Sequence, residues 1–323
     1  MYMPMTTAVI AARNMLQAMI IIVLAFTLSV CSEGPPASWH MINVNSGTQG
    51  DANLIVIGDT TVIIDAGYIR EAKANLVPYL KQLGISKIDH FFISHPHRDH
   101  YEGLAPVLDA GIKIDKLYYK IPADEVRDCC YSKSHFLKFV NYAKDHGATL
   151  IQPKTGFSLS LPNGSSLEIL HAQEGNLPGT VLDVNDMSLI MKWYVNGLSV
   201  LFTGDLNHTL GEYLVADERM EADIMKMPHH GGRSLAPNAF FDTVNPGYVL
   251  VPGPKSVWCS ERGTRPREWV KTKMIPTWVN GINGNIKVEF ARKNTTITPE
   301  RASGDCKLKA FGTITFENST RHP

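Results

Sequence analysis

The sequence lacks three features that would mark common classes of protein. Its 323 residues contain 31 basic and 31 acidic side chains, so no positive excess exists to attract nucleic acid over a wide surface. The five cysteines form no CxxC pair, which argues against a structural zinc knot. No apolar run reaches the roughly 20 residues that a membrane-spanning helix needs. The 44% hydrophobic content is that of an ordinary globular protein, and the length favours one large domain.

The N-terminus has the pattern of an export signal. Arg13 precedes sixteen uncharged residues, Met15 to Val30, and small or helix-breaking residues follow them. We therefore predict a signal over residues 1–32 and an extracytoplasmic location, with the protein either secreted or membrane-anchored. Cleavage after Ser32, lipidation of Cys31 and retention of the apolar helix as an anchor are alternatives that the sequence leaves open.

The other four cysteines could form disulfides outside the cytoplasm. They are Cys129, Cys130, Cys259 and Cys306, and four cysteines allow three pairings. Adjacent Cys129 and Cys130 can scarcely bond to each other without strain. The pairing therefore stays open at this stage.

From Trp39 onward, apolar strand-like runs alternate with helical patterns. Asn-Gly pairs at 163–164 and 196–197 each join two such runs and predict β-hairpins. A helix is predicted over 134–146, ended by Gly147. Several of the apolar runs end in polar residues, which is where α/β sheets place their functional groups. We therefore predict an α/β chain with two sheet-containing halves.

The segment FFISHPHRDHYEGL, residues 91–104, follows one of these apolar runs and contains the pattern HxHxDH. Its three imidazoles and one carboxylate suit borderline cations such as Zn²⁺, and also Mn²⁺ or Fe²⁺. In extended backbone His95 and His97 lie on one face, while Asp99 and His100 can address a second ion. The pattern thus predicts a metal site rather than a polar loop.

Two later strand ends carry residues of the same kind. Asp205 closes the run FTGD and could bridge two ions, and His229 and His230 in PHHGG offer further imidazoles. Alone, Asp205 would be interpreted as a turn residue. The histidine pair alone would be equally consistent with metal ligands and with structural residues. Their occurrence with HxHxDH, each at a strand end, favours a single metal centre.

With these motifs, the chain resembles the metallo-β-lactamase superfamily and, within it, the hydrolase domain of ComEC-type DNA-uptake proteins. The resemblance covers about residues 39–290, and besides HxHxDH it rests on the runs QGD, NDMSL, FTGD and PHHGG. It implies a four-layer αββα metallo-β-lactamase sandwich with a dinuclear site at one edge. We assign residues 39–295 to this hydrolase domain, and residues 296–323 form a C-terminal extension to which we assign no role.

The predicted site holds two divalent metal ions, Zn²⁺ first, with Mn²⁺ or Fe²⁺ as alternatives. The first ion would be bound by His95, His97 and Asp205. The second would be bound by Asp99, His100, Asp205 and His230. The resemblance also implies that Asp51, in QGD, lies behind the metal loop and supports it.

One departure from the family pattern bears on the reaction. Lactamases and lactonases carry a further ligand histidine before the bridging aspartate, whereas GTVLDVNDMSL contains none. ComEC-like members lack that histidine as well, so its absence counts against β-lactamase activity but not against a metal site. Asn185 and Ser188 match the NxxSL pattern and are predicted to line the gap, although they could equally be structural strand-start residues.

We predict an exported metal-dependent hydrolase that cleaves phosphodiester bonds with a metal-bound hydroxide. Asp99 would orient the hydroxide, and His229 would contact the phosphate or protonate the leaving group; the roles of His229 and His230 could be exchanged. The substrate would be a nucleic acid or a phosphorylated glycan. The protein would contact a membrane only through its N-terminal signal or a lipid anchor. No protein partner is evident. The alternatives are lactone, lactam or thioester hydrolysis and a non-catalytic, surface-anchored binding module.

Six basic residues lie between positions 255 and 273, together with Trp258 and Trp269. Such a stretch could follow a phosphate backbone and stack bases. A solvated helix face with two core tryptophans is the favoured reading.

Overall fold

The computed structural model describes residues 36–44, 48–126, 128–304, 306 and 309–318. The predicted signal over 1–32, with its alternatives at Cys31 and Ser32, lies outside these residues. In the described part of the chain, no helix is both long enough and apolar enough to cross a membrane.

The first sheet combines strands from both ends of the described chain. Its strands are β1 (Ala37–Met41), β2 (Ala52–Ile57), β3 (Thr60–Ala66), β4 (Lys87–Phe92), β5 (Lys113–Tyr118), β6 (Thr149–Ile151), β14 (Ile286–Phe290), β15 (Asn294–Pro299) and β16 (Ile314–Glu317). They lie in the order β16-β15-β14-β1-β2-β3-β4-β5-β6. The pairs from β3 to β6 are parallel and the others are antiparallel.

The second sheet is formed by the middle of the chain. Its strands are β7 (Ser158–Ser160), β8 (Ser166–His171), β9 (Ile190–Val195), β10 (Leu198–Phe202), β11 (Ile224–Lys226), β12 (Tyr248–Val251) and β13 (Thr277–Val279). They lie in the order β13-β12-β11-β10-β9-β8-β7. The pairs from β10 to β13 are parallel, and the pairs from β7 to β10 are antiparallel.

The helices connect these strands. They are α1 (Ile69–Glu71), α2 (Val77–Gln82), α3 (Arg98–Tyr101), α4 (Leu104–Asp109), α5 (Lys133–Asp145), α6 (His208–Tyr213), α7 (Asn238–Val244), α8 (Lys255–Trp258), α9 (Thr264–Thr272) and α10 (Asn280–Asn283). A π-helical turn, Ala72–Leu76, joins α1 to α2. Single 3₁₀ turns lie at Pro162–Gly164, Asn185–Met187, Leu214–Ala216, Glu218–Met220, His229–Gly231 and Glu261–Gly263.

The two sheets pack face to face around one apolar core. Trp39 of β1 meets Phe202 of β10 with ring centroids 5.1 Å apart, and Trp193 of β9 meets Phe290 of β14 at 5.0 Å. Each contact joins one sheet to the other. Burial of a side chain of this size contributes about 1.5–3 kcal/mol, so the interface between the sheets is a major source of stability.

The outer face of each sheet is covered by helices. Successive residues of a strand point to opposite faces, so Phe92 of β4 lies between the sheets, while Phe91 belongs to the outer cluster that also contains Phe136 and Val140 of α5. On the second sheet, Phe240 of α7 belongs to the corresponding outer cluster. The arrangement is helix, sheet, sheet, helix, and the predicted four-layer αββα sandwich is confirmed.

The turn and helix-cap residues adopt the conformations that the sequence predicts. Asn196 and Gly197 join β9 to β10 with φ of 49° and 79°, as a tight hairpin of this hand requires. In α5 the Ser132 hydroxyl accepts the His135 N–H, and Gly147 follows with φ of 94°. Both hairpins and this helix are therefore confirmed.

The C-terminal segment continues the first sheet. β15 pairs with β14, and β16 forms the sheet edge, where Phe316 stacks on Tyr248 at 4.1 Å. A disulfide joins Cys259 to Cys306, whereas Cys129 and Cys130 are free, so one bond forms and none of the three complete pairings does. The domain boundaries at 39, 295 and 296 stay predictions.

The carboxyl ends of several parallel strands meet at one edge of the sandwich. β3 and β4 run parallel in the first sheet, as β10, β11 and β12 do in the second. The segments that follow β4, β10 and β11 carry HxHxDH, Asp205 and the histidine pair, respectively. The fold thus brings residues that are far apart in sequence to one place.

Candidate metal centre

The predicted metal loop begins where β4 ends. Ser94 ties it to the end of β3, because its backbone N–H and its hydroxyl each donate to the Asp65 carboxylate at 2.7 Å. Helix α3 then begins directly after His97. This short passage from strand to helix brings the four loop side chains together: His95, His97, Asp99 and His100.

Two ring nitrogens of this loop face one small region. Nε2 of His95 and Nδ1 of His97 are 3.2 Å apart, and Oδ1 of Asn185 lies 2.9 Å from the same His97 nitrogen. On the other side of the ring, Nε2 of His97 lies 3.2 Å from Oδ2 of Asp128. A carboxylate at Nε2 favours the proton there and leaves the Nδ1 lone pair for a cation.

His100 and His230 are arranged by the same principle. Nδ1 of His100 donates to Asp65 at 2.9 Å, and Nδ1 of His230 donates to the Pro252 carbonyl at 2.8 Å. Their Nε2 atoms lie 3.3 and 3.1 Å from Oδ2 of Asp205, and that of His230 is also 3.2 Å from Asp99. Each ring therefore has one nitrogen fixed and the other directed at carboxylates.

These residues fit a metal ion. Nε2 of His100, Nε2 of His230 and Oδ1 of Asp205 are buried, and within the described residues none of them makes a well-aligned hydrogen bond, although carboxylate oxygens lie at ion-pair distance from both rings. Buried polar atoms are rarely left in this condition without a ligand or a water. Potential ligand atoms lie within 4.8 Å of one another in two overlapping groups, His95, His100 and Asp205, and Asp99, His100 and His230. Either group could hold a divalent cation.

Electrostatics favour ionised carboxylates at this position. Burial acts to raise the pKa of Asp205, but attraction to His230 and His100 outweighs it and holds the pKa well below the usual value. Burial acts to lower the pKa of His230, yet Asp205 and Asp99 raise it to about 10. A cation requires the neutral imidazole, so its binding would release the proton of His230.

His95 differs from the other rings. Burial, followed by repulsion from His100, holds the pKa of His95 well below its usual value. The ring is therefore neutral near pH 7 and already presents a lone pair. Its Nδ1 is fixed by the Ser94 hydroxyl at 3.1 Å, so Nε2 is the atom directed toward His97.

Asp51 lies behind the loop, in the place that the resemblance implied. Its side chain is fully buried, forms an ion pair with Lys226 of β11 and accepts a hydrogen bond from Asn53 at 2.7 Å. Its backbone N–H donates to the carbonyl of Asp99 at 3.2 Å. Lys226 also donates to the carbonyl of Gly204 at 2.9 Å, so its buried ammonium group contacts segments on both sides of the candidate metal centre.

Ser188 and Asn185 have different positions around the predicted gap. The Ser188 hydroxyl accepts the backbone N–H of Asp205 at 2.9 Å and so fixes the turn that presents this carboxylate. Gly204 in that turn has φ of 51°, and a Cβ there would lie 2.5 Å from the Ser188 oxygen, so only glycine fits. Asn185 instead lies directly beside His97.

The adjacent histidines diverge. His230 is fully buried, whereas His229 lines an open cavity and has its Nδ1 fixed by Oδ1 of Asn207 at 2.7 Å. Both residues adopt left-handed backbone, with φ of 48° and 54°. Such strain in non-glycine residues is concentrated at functional sites, and here it turns the two rings in different directions.

A cavity of about 300 Å³ opens over the centre. It is lined by Gln49, Tyr68, His97, Arg98, Asp99, Asp128, Cys129, Cys130, Asn185, Asp205 and His229. All of these residues carry a polar or ionisable side chain, so a ligand in the cavity would meet hydrogen-bonding and charged groups.

Four residues near the centre were missed in the sequence: Asp65, Asp128, Asn207 and Lys226. Asp65 and Lys226 carried a usable signal, since each is a charged residue in an otherwise apolar strand run. Asp128 and Asn207 carried none, because their partners His97 and His229 are brought to them only by the fold.

The tryptophans of the basic stretch are part of the core. Trp258 is fully buried and Trp269 is 6% exposed, so neither ring is available to stack on a base. Arg265 donates to the carbonyls of Leu235 and Ala236. The reading with core tryptophans is confirmed, and base stacking by these two residues is excluded.

Comparison with known proteins agrees with this geometry. Residues 45–123, which include the HxHxDH loop, match the family model described as metallo-beta-lactamase superfamily. The predicted resemblance to this superfamily is confirmed. The chain has a metallo-β-lactamase hydrolase-like fold, and its clustered histidine and aspartate residues could bind metal.

Individual relatives are distant. ComE operon protein 3 of Bacillus subtilis (strain 168) is 24% identical over 188 residues, which are 56% of this chain and 22% of that protein. The metallo-beta-lactamase fold protein YhfI from Bacillus subtilis covers 79% of this chain and all of its own, at 13% identity and a TM-score of 0.49. Zn²⁺-bound PqqB from Methylobacterium extorquens covers 71% of this chain and 85% of its own, at 11% identity and a TM-score of 0.47.

Proposed function

We propose that this protein is a phosphodiesterase that uses two divalent metal ions, Zn²⁺ first. His95, His97 and Asp205 would hold one ion. Asp99, His100, Asp205 and His230 would hold the other. Two overlapping groups of ring nitrogens and carboxylate oxygens support two ions, one group with His95, His100 and Asp205 and the other with Asp99, His100 and His230; His97 is assigned because its Nδ1 lies 3.2 Å from Nε2 of His95.

The ions would lower the pKa of bound water toward about 7 and neutralise charge on the phosphoryl oxygens. The protein's own groups would supply orientation and proton transfer. Asp99 faces both the cavity and His230, so its carboxylate can accept a hydrogen bond from the attacking water and align it. Asp128 would keep His97 in the tautomer that presents Nδ1.

The observation that carries the proposal is the position of His229. Asn207 fixes its Nδ1 at 2.7 Å, and Asp183 in turn accepts from the Asn207 amide at 2.6 Å, so the ring is held with Nε2 available at the cavity. Because burial lowers its pKa, His229 presents the Nε2 lone pair, which would first accept the proton released by the attacking water and then deliver it to the alkoxide leaving group. A phosphodiester needs that proton when its ester bond breaks.

Asn185 also separates this site from the lactamase pattern. Its Oδ1 lies 2.9 Å from Nδ1 of His97, and within the described residues no additional histidine contacts this ring pair besides those of the predicted set. An amide in this position would offer the first ion an oxygen atom where the lactamase pattern has a histidine nitrogen. This difference supports a substrate other than a β-lactam.

The proposal includes an extracytoplasmic location and a nucleic acid or phosphorylated glycan as substrate. The disulfide between Cys259 and Cys306 supports the location, because such bonds persist mainly in oxidising compartments. Because Asp99, Asp128 and Asp205 line the cavity, the metal ions together with Arg98 would have to supply the positive charge that an anionic substrate needs.

The Asp205→Asn substitution tests the reaction. We expect turnover of bis-p-nitrophenyl phosphate to fall to background, because Asp205 lies between both ligand groups and an amide cannot supply its charge. Asp217→Asn, a surface carboxylate paired with Arg219, serves as the matched control and should retain activity. Undiminished turnover in the Asp205 variant would refute the proposed centre.

A substrate panel with metal analysis separates the alternatives. The metal-loaded protein should hydrolyse the phosphodiester faster than nitrocefin or a homoserine lactone. The reverse preference would instead indicate a lactam or lactone hydrolase. Two equivalents of bound metal per chain would count against a non-catalytic binding module, whereas a chain that binds no metal and turns over no substrate would indicate one.

A further inference from the structure

We propose that Cys129, Cys130 and Asp128 form a second, separate binding site for one thiophilic divalent cation at the mouth of the cavity. Both thiols are free and exposed, and their sulfur atoms lie 2.9 Å apart. One oxygen of Asp128 and the two sulfurs all lie within 4.8 Å of one another. Three potential ligands are thus contributed by three consecutive residues.

The two sulfurs are better placed to share a cation than to bond to each other. Consecutive Cα atoms are about 3.8 Å apart, whereas disulfides usually need about 4.4–6.8 Å. A disulfide between neighbours is therefore strained. Chelation needs only that both sulfurs point to the same side, as they do here.

The donor set defines the kind of ion. Two sulfurs and one carboxylate oxygen suit Zn²⁺ or the softer Cd²⁺ and leave a fourth position open. The candidate metal centre beneath is built from nitrogen and oxygen donors alone. The two sites therefore differ in ligand softness, and a soft ion would prefer the thiol pair.

Asp128 connects the two sites. One of its oxygens accepts the backbone N–H of Cys130 at 2.6 Å, which fixes the carboxylate beside the thiols. The other oxygen lies 3.2 Å from Nε2 of His97. An ion held by the thiols would thus lie one side chain away from the metal centre, with the same carboxylate in both environments.

Titration with Cd²⁺ and Co²⁺ tests the site. A Cys31→Ser variant of the full chain is first shown by thiol titration to carry two free thiols, Cys129 and Cys130, and its nitrogen–oxygen centre is saturated with Zn²⁺. We expect an ultraviolet thiolate-to-metal charge-transfer band that saturates at one equivalent of Cd²⁺. This band does not depend on hydrolysis, so failure of the proposed function would leave the result intact.

Variants assign the ligands. Cys129→Ser and Cys130→Ser should each weaken Cd²⁺ binding by about tenfold or more, and Asp128→Asn should weaken it by about 10- to 100-fold. Asp124→Asn is the matched control on the same loop; its carboxylate pairs with Lys133 at 2.8 Å, and the band should be unchanged. A chain with two free thiols and no band, or a band that survives both serine variants, would overturn the proposal.

Discussion

At the scale of single residues, the geometry of each histidine depends on the group behind it. His100 has Asp65, His97 has Asp128, and His229 has Asn207. Each partner leaves one ring nitrogen facing the centre or the cavity. The chemical properties of the site therefore depend on residues that would not themselves touch a metal or a substrate.

The Asp65→Asn substitution tests this dependence. Asparagine tolerates the left-handed backbone at this position, where φ is 62°, and its amide oxygen can still accept the Ser94 N–H. His100 would lose the carboxylate that accepts its Nδ1 proton, so we expect zinc affinity to fall by about 10- to 100-fold. Competition with a chromogenic chelator measures the change.

Asp89→Asn provides the control for that experiment. Asp89 lies on the adjacent strand and accepts hydrogen bonds from the backbone and hydroxyl of Thr61, away from the centre. The same chemical change there should leave zinc affinity unaltered. Equal affinity in the two variants would show that Asp65 does not orient His100.

At the scale of secondary-structure elements, one buried ion pair joins the two sheets beneath the site. Lys226 belongs to β11, and Asp51 immediately precedes β2. Burial acts to lower the pKa of Lys226, but Asp51 and Asp205 raise it, so the ammonium stays charged. The pair therefore fixes the distance between the strand ends that carry the metal loop and Asp205.

Removal of one partner should be more harmful than removal of both. Lys226→Met leaves the carboxylate of Asp51 buried without its cation, which typically costs 3–5 kcal/mol. We expect a loss of about that size in the free energy of unfolding, measured by urea denaturation. The double variant Lys226→Met/Asp51→Asn should recover part of it; a double variant as unstable as the single one would contradict this account.

The elements differ in how far their sequences determined them. Asn196-Gly197 and the cap at Gly147 act within a few residues, so the β9–β10 hairpin and α5 could be predicted. The short strands β6 and β13 have too few residues for a pattern, and they exist because a neighbouring strand supplies their hydrogen bonds. The same distinction applies to the site residues. HxHxDH is a local motif and could be predicted, whereas Asp128 contacts His97 only after folding.

At the scale of the whole molecule, the sandwich places ionisable groups in its interior beyond the metal centre. His40 of β1 is 4% exposed and contacts the hydroxyls of Tyr79 and Ser38 at 2.8 and 2.9 Å. Burial, followed by the nearby Lys287 ammonium, lowers its pKa to about 4, and Glu289 opposes this only weakly. His40 is thus neutral in the folded protein at pH 7.

The stability of the fold should therefore decrease in acid through His40. The unfolded chain binds a proton on this ring near pH 6.5, whereas the folded protein does so only near pH 4, so stability is lost as the pH falls between these values. At 1.36 kcal/mol per pKa unit, the contribution is up to about 3 kcal/mol. Urea denaturation at both ends of this range should show a smaller loss in His40→Gln than in the native protein, because glutamine does not titrate. Since all other groups titrate in both proteins, equal losses would mean that His40 is not the group responsible.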